Sequence, residues 1–150
     1  MTMPTRVYLD TCCLNRPFDA QVGERVRLET AAVLSVLDRI RSGRVEWLGS
    51  TVLLAELARR PDGPPEGMRE LLRYMRRVVP VSGAEESRAR QWMALGLHAM
   101  DALHVACAEA GHASVILTTD DRVLRVVRRA SGIAHVPARN PREWIGGIQP

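Results

Sequence analysis

The chain is patterned by short apolar runs separated by segments of helical period. Val7-Tyr8-Leu9 is apolar on successive positions and stops at Asp10, which predicts a strand buried on both faces. From Glu24 to Arg41 the period changes. Val26, Val33, Leu37 and Ile40 share one face, and Gly43 closes the segment, which predicts a helix. Val45–Leu48 reads as a second strand. Ser50 is placed to cap a helix from Thr51 to about Arg60. Pro61-Asp62-Gly63-Pro64-Pro65 predicts a loop. A basic helix is expected over Glu66–Arg77, a third strand over Val78–Val81 and a helix over Ala84–Leu95. A nearly all-apolar helix then runs from about His98 to Ala110 and ends at Gly111. Ser114–Thr118 predicts a strand, Asp121–Ala130 a helix and Ile133–Val136 a last strand.

Strands thus alternate with helices, and the strands are apolar on both faces. That pattern belongs to an α/β fold with a parallel sheet covered by helices on each side. In such sheets, sites form beyond the carboxyl ends of the strands. Asp10 and Asp120 both follow predicted strands and so belong to that edge. The 150 residues contain no repeat or linker and suit one domain over residues 1–150, with a core over about 6–137.

Composition narrows the chemistry. All 21 basic residues are Arg, and no Lys occurs. This excludes a P-loop, which needs a Lys on the phosphates, and Schiff-base catalysis. Net charge is +4, compatible with a polyanionic partner. Three Trp, two Tyr and one Phe are too few aromatics for a base-stacking platform. Cys12 and Cys13 are adjacent, Cys107 stands alone, and no CxxC spacing exists, so neither a zinc site nor a disulfide framework is indicated. No apolar run approaches membrane-spanning length and no signal-peptide pattern opens the chain, which points to the cytoplasm and to no membrane partner.

Four acids stand out against their surroundings. Asp10 ends an apolar strand, where it could equally cap the next segment. Glu56 lies within Val52-Leu53-Leu54-Ala55-Glu56-Leu57-Ala58, with an exposed pair to Arg60 as the plainer alternative. Asp101 lies in a helix apolar nearly all round, with no Arg between Gln91 and Asp121 to neutralise it. The alternative there is a first-turn acid facing helix N–H groups. His98 and His104 flank it at i−3 and i+3, where packing or a supporting contact is the simpler role than metal ligation. Asp120 follows a strand and could cap the helix after it. If all four converge, carboxylates ~5 Å apart repel by roughly 3 kcal/mol at an effective dielectric of 20. With no Lys and only oxygen ligands, the natural counter-charge is a hard divalent cation, Mg²⁺ or Mn²⁺.

These residues occur in an order that resembles the PIN domain. "YLDTCCLNRPFD", "LLAELARR", "HAMDALHVACAEA" and "VILTTDDRVLR" match its motifs over about residues 6–137. Proteins of this size in the family resemble the VapC-like toxin ribonucleases of toxin–antitoxin pairs. The resemblance implies a three-layer α/β/α sandwich with a short parallel sheet, and a Mg²⁺- or Mn²⁺-dependent endoribonuclease. Its partners would be RNA and an antitoxin protein, with a homodimer as a further expectation. By position, Asp10, Glu56, Asp101 and Asp120 match the family's catalytic and metal-holding acids. Thr118 matches a hydroxyl residue two places before the last acid. Cys12 stands where the family commonly has Asn or Ser, and Asn15 is the nearby polar residue that could take over that supporting role.

The arginines have two readings. Arg69, Arg73 and Arg76 are expected on one helical face, and Arg122, Arg125 and Arg129 on another. They are either solvated faces or contacts to RNA phosphates without base specificity. Two further readings compete for the whole protein. A PIN fold could serve as a non-catalytic binding or assembly module, or as a nuclease of general RNA or DNA processing. A phosphatase or receiver-like protein with an aspartyl nucleophile at Asp10 is disfavoured, because those families rely on a Lys near the phosphoryl group.

Overall fold

In the computed structural model, which describes residues 4–147, five strands form one parallel sheet. They are β1 (Arg6–Leu9), β2 (Glu46–Ser50), β3 (Met75–Val79), β4 (Val115–Leu117) and β5 (Ala138–Arg139), in the spatial order β3-β2-β1-β4-β5. The helices are α1 (Thr11–Asn15), α2 (Glu24–Arg41), α3 (Thr51–Ala58), α4 (Glu66–Leu72), α5 (Gly83–Ala94), α6 (Ala99–Ala110), α7 (Asp121–Arg129) and α8 (Pro141–Gly146). A single 3₁₀ turn, Arg16–Phe18, follows α1. No helix among the described residues is long and apolar enough to cross a membrane.

The strands divide their side chains between two cores, as the period of two requires. Tyr8, Leu48 and Ile116 face α5, α6 and α7, where Trp92, Val105, Val123 and Val127 complete one cluster. Val7, Leu9, Trp47, Val115 and Leu117 face the other way, onto Leu14 of α1, Val33 and Leu37 of α2, Leu53 of α3 and Met68 of α4. Two helical layers therefore enclose the sheet, the three-layer α/β/α arrangement the sequence predicts. The strand order reverses between β1 and β4, which pair through Leu9 and Leu117. That switch point opens a crevice at the carboxyl edge of the sheet.

Three predicted elements differ. The basic helix stops at Leu72 rather than Arg77, and the third strand is not Val78–Val81 but β3 over residues 75–79, an edge strand that includes Arg76 and Arg77. Arg69, Arg73 and Arg76 therefore do not share a helical face: Arg69 is on α4, Arg73 follows its end and Arg76 is in a strand. An edge strand keeps one side in solvent and tolerates charge there, which blurs the apolar run expected of a central strand. The last strand is not Ile133–Val136 but the two-residue β5 after Pro137, paired through Thr118 N–H to Arg139 O (3.0 Å). Ile133 is half exposed, and Val136 is buried without joining the sheet. Two short elements were not expected, α1 and α8.

Candidate active site

The carboxyl edge of the sheet gathers residues from four elements. Asp10 follows β1 and caps α1, its Oδ1 accepting the Cys13 N–H (2.9 Å). Asp120 follows β4 and caps α7, accepting the Arg122 N–H (2.8 Å). Capping and membership of the acid edge are therefore compatible, because a strand that turns directly into a helix places the cap residue over the sheet end. The Asp10 N–H also donates to Leu117 O (3.2 Å), which ties the two strand ends together.

Asp101 lies in the first turn of α6, half-buried, and among the described residues it has neither an ion pair nor a hydrogen-bonding partner. Glu56 comes from α3. It does not pair with Arg60, which donates instead to Asn15 Oδ1 (2.8 Å). Its Oε1 accepts from the Thr11 hydroxyl (2.8 Å) and meets His104 Nε2.

The acids feel one another. Burial pushes the Asp10 carboxyl up to about 6, and the Asp101 charge adds to the rise. The Thr118 hydroxyl, the Cys13 N–H and His104 oppose it. Burial followed by the Asp120 charge raises Asp101, with Glu56 contributing in the same direction. Burial also acts upward on Glu56, but the His104 and Thr11 hydrogen bonds outweigh it and hold its carboxyl below the usual range. The Cys12 thiol is pushed up to about 12, first by desolvation and then by Asp10, Asp101, Asp120 and Glu56. Cys12 thus feels the charge of all four acids and remains a thiol at neutral pH.

The other expected residues are placed as follows. Thr118 is fully buried at the end of β4, beside Asp10, and its hydroxyl accepts the Asp120 N–H (3.1 Å). Asn15 ends α1 with its side-chain oxygen taken by Arg60. Arg122 donates from α7 to His98 Nε2 (3.0 Å), across to the start of α6. Arg125 and Arg129 are exposed on α7 and line a cleft of about 910 Å³ with Arg25 and Arg142. Arg73 and Arg76 line a different cleft, of about 370 Å³, with Pro4 and Glu46. Those residues lie where the strands begin, at the edge opposite the acids.

The sequence reading missed Arg25. Its guanidinium donates to both Asp121 oxygens (2.9 and 3.0 Å) and to Thr119 O (3.0 Å), fastening the turn that carries Asp120 to α2. No local pattern signals a contact between residues so far apart in the chain. Tyr8 was also missed, although strand alternation around Leu9 places it on the face that α6 covers.

A family model described as the PIN domain matches residues 7–129. The chain belongs to the PIN domain family, whose members are usually nucleases that act on nucleic acids. No curated protein matches the chain. PIN nucleases typically use divalent metals such as Mg²⁺. The donor set suits such an ion in chemistry and charge, since Asp10, Asp101 and Asp120 offer oxygen ligands with no arginine ion pair. Among the described residues, no three His, Cys, Asp or Glu side chains are gathered tightly enough to enclose an ion in this conformation.

Proposed function

We propose that this protein is a metal-dependent endoribonuclease of the cytoplasm, and the toxin of a toxin–antitoxin pair. One observation carries the catalytic reading. Three buried or half-buried aspartates share the carboxyl edge of the sheet with no ion pair among the described residues, while the buried glutamates Glu29 and Glu109 are paired with arginines. Uncompensated charge of that kind is costly unless it serves binding or chemistry.

In this reading Asp10, Glu56, Asp101 and Asp120 hold Mg²⁺ or Mn²⁺. When bound, the ion neutralises charge on the scissile phosphate and makes water a better nucleophile near neutral pH. The protein's own groups do the rest. A carboxylate at this edge accepts the proton of the attacking water. Thr118 steadies Asp10 and the turn before Asp120. Arg122, Arg125 and Arg129 take the phosphates of the flanking RNA, without reading bases. In-line attack leaves a 5′-phosphate and a 3′-hydroxyl.

The toxin assignment rests on the family resemblance, with an antitoxin protein as its partner and a homodimer as the working assembly. The test is cleavage of a fluorogenic single-stranded RNA. Activity is expected with Mg²⁺ or Mn²⁺ and none after chelation with EDTA. Undiminished cleavage in excess EDTA would refute the metal-dependent mechanism.

A further inference from the structure

A continuous run of hydrogen bonds crosses the core and ends on Glu56. Leu53 N–H donates to Ser50 Oγ (3.1 Å), and Ser50 Oγ shares a hydrogen with the Tyr8 hydroxyl (2.7 Å). The same hydroxyl meets His104 Nδ1 (2.6 Å), and His104 Nε2 meets Glu56 Oε1. Tyr8 and Ser50 are fully buried and His104 almost so. These residues come from β1, β2, α3 and α6, so the run spans the layer that carries Asp101.

Its polarity is set by the Glu56 end, and the Leu53 end is compatible with it. A backbone N–H can only donate, and a carboxylate can only accept. Every group is satisfied if Ser50 donates to Tyr8, Tyr8 donates to Nδ1, and the imidazole hydrogen sits on Nε2, pointing at Glu56. Thr11 donates to the same Oε1 (2.8 Å). Both hydrogen bonds converge on one oxygen of Glu56. The other, Oε2, has no hydrogen-bonding partner among the described residues.

We infer that His104 and Tyr8 are positioning residues that immobilise Glu56 through Oε1 and reserve Oε2 for the site. A histidine oriented by one partner so that its second nitrogen fixes a carboxylate is a recurrent support for such acids. His104 thus serves Glu56 on a neighbouring helix rather than Asp101, its neighbour in sequence. The role rests on the reading of the acid edge as an RNA-cleaving site, but the orientation of His104 does not.

Two sets of measurements on the full chain separate these. In metal-free wild type, imidazole ¹⁵N NMR should show the hydrogen of His104 on Nε2 and protected from exchange. Glu56→Ala should remove that protection. A hydrogen on Nδ1 alone, or protection unchanged in Glu56→Ala, overturns the inference even if the protein proves to be no nuclease. The second set reads Mn²⁺ affinity by electron paramagnetic resonance, alongside RNA cleavage. His104→Leu should weaken one or both by ~10–100-fold. His104→Gln keeps an N–H at similar reach and should stay within ~3-fold of wild type. In a Glu56→Ala background His104→Leu should cost nothing further. A His104→Leu protein equal to wild type in both readouts, or one that loses as much again without Glu56, overturns the inference. Should His104→Leu fail to fold, Tyr8→Phe deletes a single hydroxyl and carries the same comparison, with a loss of several-fold expected and an unchanged protein overturning it.

Discussion

Buried carboxylates occur in two settings in this protein, and the settings are electrostatic opposites. In the helical layers, Glu29 and Glu109 are saturated with donors. Glu29 takes Arg16 (2.8 Å), Arg25 and Asn140 (2.7 Å), and Glu109 takes Arg88 (2.9 Å), the Trp92 indole (2.9 Å) and the His135 N–H (2.8 Å). Burial acts upward on both, yet these donors hold both carboxyls below their usual range. At the sheet edge, Asp10 and Asp101 are raised instead, Asp10 by burial and the Asp101 charge, Asp101 by burial and the charges of Asp120 and Glu56. A donor-saturated acid fastens elements together. An acid left without a cation is available to a ligand.

Removing an acid from each setting should therefore give different defects. Glu109→Ala leaves Arg88 and the Trp92 N–H without their acceptor and should cost about 3–5 kcal/mol in chemical denaturation. The comparison breaks if Glu109→Ala is as stable as wild type. Asp101→Asn should be folded, and in the absence of metal more stable than wild type, because a repelling charge is gone. Its metal-dependent cleavage should fall by more than ~100-fold, beyond the loss of an outer supporting contact. A stable Asp101→Asn that still cleaves RNA would remove the acid from the reaction.

The pH dependence of stability sharpens the contrast. The carboxyl of Asp10 is raised from its ordinary value to about 6 in the folded protein. The folded state then holds a proton that the unfolded chain has released. Stability from this group is complete below the unfolded value near ~4 and is lost as pH rises through about 6. Relative to Asp10→Asn, the metal-free wild type should lose on the order of 2 kcal/mol between pH ~4 and ~7. Glu29 and Glu109, held low, act with the opposite sign and weaken the fold only as acid protonates them. Denaturation across this range in both proteins checks the sign, and a parallel pair of curves would show that Asp10 ionises normally.

Asp120 and Asp121 repeat the contrast between neighbours. Asp121 is exposed and paired with Arg25, so Asp121→Asn should cost at most about 1 kcal/mol and leave cleavage intact. Asp120→Asn keeps a capping oxygen and should lose most cleavage at near-native stability. The reverse result would move the fourth acid to Asp121. The smallest effect is expected from the arginine face. Neutralising Arg122, Arg125 and Arg129 together should flatten the salt dependence of RNA affinity by a slope of about 2. An unchanged slope would put the RNA elsewhere on the surface.

Much of this arrangement is legible in the sequence, for identifiable reasons. The bounds of α2 follow from a long amphipathic stripe, and α7 from repeated pairs of buried valine and leucine between arginines. Asp10, Asp101 and Asp120 stand out because each interrupts or ends an apolar segment. The edge strands are harder to see. β3 is mostly exposed and carries two arginines, and β5 has only two residues. α1 is a single turn without helical period, whereas α8 carried a signal that went unread, Asn140 as cap followed by Pro141. The partners of Glu56 and of the Asp120 turn were illegible for another reason. Tyr8 and His104 are 96 residues apart, as are Arg25 and Asp121, and only the sheet order brings them together.

The caps at Asp10 and Asp120 have an evolutionary consequence. Each aspartate starts a helix with one oxygen, and asparagine can supply that oxygen equally well. On the proposed reading, two substitutions of nitrogen for oxygen would silence the edge while keeping both caps. Descendants that had traded cutting for mere attachment would keep the same silhouette. The difference between a blade and a handle would be written in a few side-chain atoms, and backbone comparison would not find it.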